Sequence, residues 1–172
     1  MEHTIRAARP GDYDQLGELT ASAYLDDGLL VRGRDSPYLE VLRDVAHRAS
    51  HGEVLVAVDA DDRVLGGVTF VAGPGPFADL AREGEAEFRT LAVAPAGRGG
   101  GIGAALVQEC IDRARELGCR RLVLSTQPTM YAAQRVYERA GFTRAPGRDW
   151  SPVPGLTLLA YELDLTSAAF NP

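Results

Sequence analysis

The stretch TLAVAPAGRGGGIGAALVQECI, Thr90–Ile111, decides how the rest of this chain is read. It holds four glycines within five residues, Gly99, Gly100, Gly101 and Gly103, between a β-like run and an amphipathic helix pattern. Ile102, Leu106, Cys110, Ala114 and Leu117 recur there at helical spacing. Glycine costs backbone entropy, so such a cluster marks a place where the main chain must approach something closely. At a strand-to-helix junction, glycines leave N–H groups free to converge on an anion. The first turn of the helix adds unpaired N–H groups and the positive end of its dipole. Arg98, just before the glycines, can contribute a charge-assisted bond to a phosphate oxygen. The constellation suits a pyrophosphate; on the glycines alone, a ligand-free tight turn would serve equally well.

Two phosphate-binding patterns fit poorly. GGGIGA can be written as the dinucleotide fingerprint G-x-G-x-x-A with Gly99, Gly101 and Ala104. That fingerprint opens an early βαβ unit and is followed about 20 residues later by an acidic residue at a strand end. Here the next strand, RLVLST, ends in Ser125 and Thr126, and the loop lies past the midpoint of the chain. A P-loop needs a lysine, and all 18 basic residues are arginine.

Outward from the loop, 172 residues correspond to one domain, residues 1–172. The net charge of −6 argues against nucleic acid as a partner. No apolar run approaches the roughly 18 residues of a membrane span. The N-terminal MEHTIRAARPGDYDQL lacks the apolar core of a secretory signal, so a cytoplasmic protein without membrane attachment is expected. Cys110 and Cys119 make no disulfide framework, and His3, His47 and His51 have no metal-like spacing, so no metal is expected. The oligomeric state stays open, a homodimer included.

HTIRAA reads as a first strand, followed by a helix with Leu16, Leu19, Ala23 and Tyr24 on one face. YLEVLRDVAHRAS reads as one further helix with Leu39, Leu42, Val45 and Ala46 inward. EVLVAV and VLGGVTFV form a hairpin across DADDR, and AGPGPFADLAREG is a long irregular connection of the sort that lines functional openings. EAEFRTLAV alternates, with Glu85, Glu87, Arg89, Leu91 and Val93 on one face and Ala86, Phe88, Thr90 and Ala92 on the other. Gly118 stops the helix after the glycine loop. RRLVLST is a buried strand; a helix capped by Thr129 runs to Gly141; FTRA, the loop PGRDWSPVPG and LTLLAYELDL complete the chain. Hairpin and crossover together predict an α/β (α+β) fold with a mixed sheet and helices on both faces.

RGGGIGA resembles the Arg/Gln-x-x-Gly-x-Gly/Ala loop of the GCN5-related N-acetyltransferases, through Arg98, Gly101 and Gly103-Ala104. EFRTLAVAP resembles that family's fourth strand. AAQRVYERAGF resembles its late helix, with Tyr137, Glu138, Gly141 and Phe142 supplying Tyr-Glu-x-x-Gly-Phe. The resemblance spans nearly the whole chain and implies a mostly antiparallel central sheet of about six to seven strands. It implies acetyl-CoA as co-substrate, its pyrophosphate cradled by Arg98, Gly99, Gly100, Gly101, Ile102, Gly103 and Ala104. The pantetheine arm would pair with the backbone of Leu91, Ala92 and Val93, whose N–H groups would also polarise the thioester carbonyl.

The same resemblance puts Tyr137 beside the thiol, where a phenol with an ordinary pKa near 10 can protonate the leaving thiolate. Packing as a core aromatic is the competing reading. Glu87, six residues before Val93, is implied as the base that takes the amine proton; a strand carboxylate paired with Arg89 is the alternative, and Glu85 the fallback base. One departure from the family is Met130, where many members place an Asn against the pantetheine. The acceptor site is implied around YLDDGLLVRGRDSPY and the last loop, with Asp26, Asp27, Tyr38, Glu87 and Trp150 as candidates and Arg148 and Asp149 nearby. The expected activity is acetyl transfer to a primary amine of a small molecule within a ternary complex. An acyl-CoA-binding module without catalysis and a protein or peptide N-acetyltransferase are the alternatives.

Overall fold

The computed structural model describes residues 2–166. In chain order it contains β1 (Thr4–Ala7), α1 (Tyr13–Asp26), α2 (Tyr38–Arg43), α3 (Val45–His51), β2 (Glu53–Val58), β3 (Val64–Ala72), β4 (Glu85–Val93) and α4 (Ile102–Glu116). There follow β5 (Arg121–Thr126), α5 (Tyr131–Arg139), β6 (Thr143–Arg144), β7 (Trp150–Val153) and β8 (Leu156–Asp164). The strands form one sheet in the order β1-β2-β3-β4-β5-β8-β6, with β7 paired to β8. β4 and β5 run parallel, whereas β1/β2, β5/β8, β6/β8 and β7/β8 run antiparallel. The mixed, mostly antiparallel sheet expected from the sequence is therefore present, with eight strands. No helix among the described residues is long and apolar enough to cross a membrane.

The described residues fall into two compact units. The first comprises residues 2–69 and 90–106. Its core joins Leu16 of α1, Val45 of α3, Val54, Val56 and Val58 of β2, and Val64 of β3. A second cluster holds Ala21, Leu39 and Leu42. The single helix expected over residues 38–50 is two. Asp44 leaves helical geometry (φ −84°, ψ 69°) and its side chain accepts the His47 amide, so α3 begins with its own N-cap. The break turns the face of the second piece: Val45 is buried as expected, but Ala46 is exposed and Arg48 goes inward. There Arg48 Nη2 donates to the Leu42 carbonyl at 2.9 Å, satisfying an acceptor that the end of α2 leaves over.

The second unit comprises residues 70–89 and 107–166. Gly118 and Gly141 close α4 and α5 in the same way. Gly118 N–H bonds to Arg115 O and Cys119 N–H to Ala114 O; Gly141 N–H bonds to Glu138 O and Phe142 N–H to Tyr137 O. Two expectations fail here. Thr129 does not cap α5: Met130 is the cap residue and its side chain makes no cap bond, its sulfur instead accepting the Thr126 hydroxyl, while the Thr129 carbonyl accepts the Tyr131 amide. Four residues of the expected loop PGRDWSPVPG are strand β7, whose Trp150 pairs with Leu158 and Val153 with Leu156. Pro152 lies within this strand, which tolerates it at a sheet edge.

Candidate active site

In the first unit the chain leaves β4, makes a short turn at Pro95–Gly97 and enters α4. Gly99 and Gly101 have φ of +80° and +76°, and an added Cβ would meet nothing within 4 Å at either. Glycine is required at these two positions by conformation. Gly103 differs. It is helical, and its added Cβ would touch only Val93 Cγ2 at an ordinary 3.8 Å. Nothing in the folded chain demands a glycine there. The Ala105 amide makes the bond to Gly101 O at 2.9 Å, so the amides of Ile102, Gly103 and Ala104 are those of a first turn, without intrahelical partners. The Ile102 side chain is buried, with Gly66 and Gly97 kept bare against it, so this residue has only its backbone to offer a ligand. Arg98 is exposed and has no ion pair or side-chain hydrogen bond among the described residues.

Just upstream, Leu91 and Val93 are half-buried and Ala92 is buried. Thr90 sits at φ +59°, a rare and strained conformation for a β-branched residue. It interrupts the alternation expected along β4. Asp26 and Asp27 lie exposed at the C-terminal end of α1, and Tyr38 packs its ring 6.4 Å from that of Tyr24.

In the second unit β4 pairs with β5 from Glu85↔Arg121 to Glu87↔Val123. Glu85, Glu87 and Arg89 share a face, and the connection between β3 and β4 is laid back across it. Glu85 Oε1 accepts the Arg82 amide, Glu87 Oε1 accepts the Leu80 and Ala81 amides at 2.7 and 3.0 Å, and Arg89 donates to Phe77 O and pairs with Asp79. Both carboxylates are 1% exposed. They differ in charge environment. Burial alone would push the Glu85 carboxyl up, but Arg148, the Arg82 amide and Arg121 outweigh it and hold the group at about 2. Both Glu85 oxygens are engaged, Oε1 by Arg148 and the Arg82 amide, Oε2 by Arg121 and Arg148. For Glu87 burial wins and raises the carboxyl above its usual range, against the Leu80 and Ala81 amides; Asp79 adds to the rise and Arg89 opposes it. Glu87 Oε2 has no hydrogen bond among the described residues. The acceptor expected for Arg89 was Glu87; the ion pair it makes is with Asp79, at 3.3 Å.

The next residue, Phe88, faces Tyr137 of α5 with ring centroids 5.7 Å apart. Tyr137 is 3% exposed and also packs on Phe142 and Tyr161. The reading of Tyr137 as a packed aromatic thus holds for its ring. Glu138 accepts a bond from the Tyr161 hydroxyl at 3.2 Å, and Gly141 with Phe142 supplies the helix cap, so most of the Tyr-Glu-x-x-Gly-Phe pattern has a structural cause. Trp150 donates its indole N–H to Ser125 Oγ at 2.9 Å, two residues along β5 from the partner of Glu87. Arg148 and Asp149, which the sequence put beside the acceptor, are occupied: Arg148 turns inward to Glu85, and Asp149 pairs with Arg144 and accepts the Ala160 amide. No group of three or more His, Cys, Asp or Glu among the described residues could hold a metal ion.

Comparison with known proteins gives this arrangement relatives. The chain is 32% identical over 161 residues to a streptothricin acetyltransferase of Streptomyces lavendulae, covering 81% of each protein. It is 33% identical over 113 residues to an uncharacterized N-acetyltransferase of Schizosaccharomyces pombe, covering 66% of this chain and 65% of that protein's length. The fold is shared with a phosphinothricin acetyltransferase from Sinorhizobium meliloti solved in complex with acetyl-CoA, at 20% identity, a TM-score of 0.73 and coverage of 100% and 94% of the two chains. The model of the acetyltransferase (GNAT) family matches residues 16–142. That match runs from within α1 to the residue after the glycine cap of α5; among the described strands β1 and β6–β8 lie outside it, and by it the chain belongs to the GNAT acetyltransferase family.

Proposed function

We propose that the 172 residues act as one acetyl-CoA-dependent N-acetyltransferase domain that acetylates a primary amine of a small molecule by direct attack. The observation that carries this reading is the glycine turn into α4. Gly103 is bare with no steric reason in the protein, the first-turn amides lack intrahelical partners, and Arg98 is exposed without an ion pair. These residues fit a pyrophosphate, as the donor set of a helix N-terminus beside an arginine should. Acetyl-CoA supplies an activated acyl group and a thiol leaving group. Glu87, with a raised pKa and Oε2 free, takes the proton of the attacking amine. Tyr137 protonates the thiolate, and backbone N–H groups among Leu91, Ala92 and Val93 polarise the carbonyl. Glu85 is a poor base, being held near 2 with both oxygens bonded. The names of the streptothricin and phosphinothricin relatives favour a small amine over a protein acceptor.

Thiol release from acetyl-CoA with an amine panel tests the reading. Acetyl-CoA binding without thiol release for any amine would leave only an acyl-CoA-binding module. A melting shift with NAD and none with acetyl-CoA would sink both. Arg98→Ala should weaken acetyl-CoA binding roughly tenfold or more, the scale of one charge-assisted hydrogen bond. Gly103→Ala is the sharper probe. Because its Cβ has room, the melting temperature should not fall, while acetyl-CoA affinity drops because the side chain enters the space a pyrophosphate would fill. Calorimetric titration of both variants reads this directly; unchanged affinity in the two would remove the loop from the cofactor site.

A further inference from the structure

The turn that bonds the proposed base is itself bonded by the side chain of Arg148. Glu87 Oε1 is fixed by two consecutive amides, Leu80 and Ala81, which lie in an irregular segment with no sheet partner of its own. Arg89 holds the segment on one side of these amides, through Phe77 O and Asp79, and Arg148 holds the turn itself. Arg148 Nη2 donates to the Leu80 carbonyl at 3.0 Å, the same residue whose amide bonds to Glu87. The same guanidinium grips Glu85, with Nη2 to Oε1 at 2.7 Å and Nη1 to Oε2 at 3.3 Å. Glu85 Oε1 in turn accepts the Arg82 amide, the residue after Ala81. One planar fork therefore pins the Leu80–Arg82 turn at both ends, against a strand residue two positions before Glu87 on the same face. Arg148 is able to do this because its side chain is 11% exposed and because Glu162, 3.6 Å away, adds a second carboxylate.

Resting on the assignment of Glu87 as base, we propose that Arg148 is a positioning residue for the acyl transfer: it locks the Leu80–Arg82 turn whose amides orient the Glu87 carboxylate. A lysine cannot make the two bonds to Glu85 and reach the Leu80 carbonyl together, since it offers a point charge where the site uses a fork. The charged groups around Glu87 are Asp79 on the turn, Arg89 and Glu85 on β4, and Arg121 and Arg148 beyond Glu85. Loss of the amide bonds removes a stabilisation of the carboxylate form and so moves its titration upward.

The test compares wild type, Arg148→Lys, Arg148→Gln and Glu87→Gln by the pH profile of acetyl-CoA turnover with one fixed amine, and by amide hydrogen exchange. In both Arg148 variants the acid limb of kcat/KM should move to higher pH by about half a unit or more. The kcat should fall with the KM for acetyl-CoA unchanged, and the Leu80 and Ala81 amides should exchange faster. An acid limb at the wild-type position, or wild-type protection of those two amides, overturns the proposal. Glu87→Gln separates the premise from the inference: wild-type turnover there overturns the base assignment, whereas lost turnover there with an unmoved limb in the Arg148 variants overturns the positioning role alone.

Discussion

Glu87→Gln should lower kcat/KM by roughly a hundredfold to ten-thousandfold, the range associated with a positioned general base, while the protein stays folded. The two effects separate because the carboxylate has two jobs. As a staple it needs only one oxygen, since Oε1 accepts both the Leu80 and Ala81 amides. Glutamine keeps an oxygen there. As a base it needs a free lone pair and a charge, and glutamine has neither. Stability should not suffer. Burial raises the Glu87 carboxyl, so between its ordinary and its raised value the folded chain binds more protons than the unfolded one. Its contribution to stability therefore falls as pH rises through that window, and removing the charge removes that penalty at neutral pH. The activity profile of the wild type should fall as pH drops through the raised pKa, and glutamine should erase that limb while leaving the limb that belongs to the acceptor amine. Tyr137→Phe is the companion, expected to lower kcat while keeping the ring contacts with Phe88, Phe142 and Tyr161. Wild-type rates in both variants would reduce Glu87 and Tyr137 to packing.

The elements that the sequence announced are those whose signals are local. Gly118 and Gly141 end helices through bonds that span five residues, and Asp59, which takes the Asp61 and Arg63 amides, closes the β2–β3 hairpin. The glycine turn was legible for the same reason. What escaped depends on distance or on a single dihedral. The break at Asp44 follows from one side chain accepting one amide, and hydrophobic spacing continues across it. The left-handed Thr90 has no residue signature, because a β-branched side chain is the least suited to that conformation. Glu85 looked interchangeable with Glu87, two residues apart on one face. Their difference comes from Arg148, 63 positions away in sequence, together with Arg121, 36 positions away, which reach one of them and not the other. The acid–base contrast of the site is a tertiary property laid over a repeated motif.

Glu85→Ala should cost about 3–5 kcal/mol, the scale for removing one partner of a buried ion pair. The carboxylate is 1% exposed and receives four hydrogen bonds from three residues. Its removal leaves Arg148 buried with the Leu80 carbonyl and the more distant Glu162 as partners. For a chain of this length each kcal/mol is worth about 2–4 °C, so a melting temperature lowered by roughly 6–20 °C is expected. The pH dependence gives an independent reading of the same energy. Glu85 is lowered from an ordinary 4.5 to about 2, so its stabilisation is complete above the unfolded value and is lost as pH falls from about 4.5 towards 2. The difference between the two values corresponds to about 3 kcal/mol, in line with the cost of truncation. Urea unfolding of wild type between pH 6 and 2.5 should therefore show a loss of stability that is shallower in Glu85→Gln, where the lowered carboxyls of Asp12, Asp59 and Asp149 still titrate. Equal slopes in the two proteins would mean that Arg148 and Arg121 contribute no net stabilisation to the charged carboxylate. In that event the clamp would act on geometry alone, and Arg148→Lys would alter the Glu87 titration without altering the acid stability of the fold.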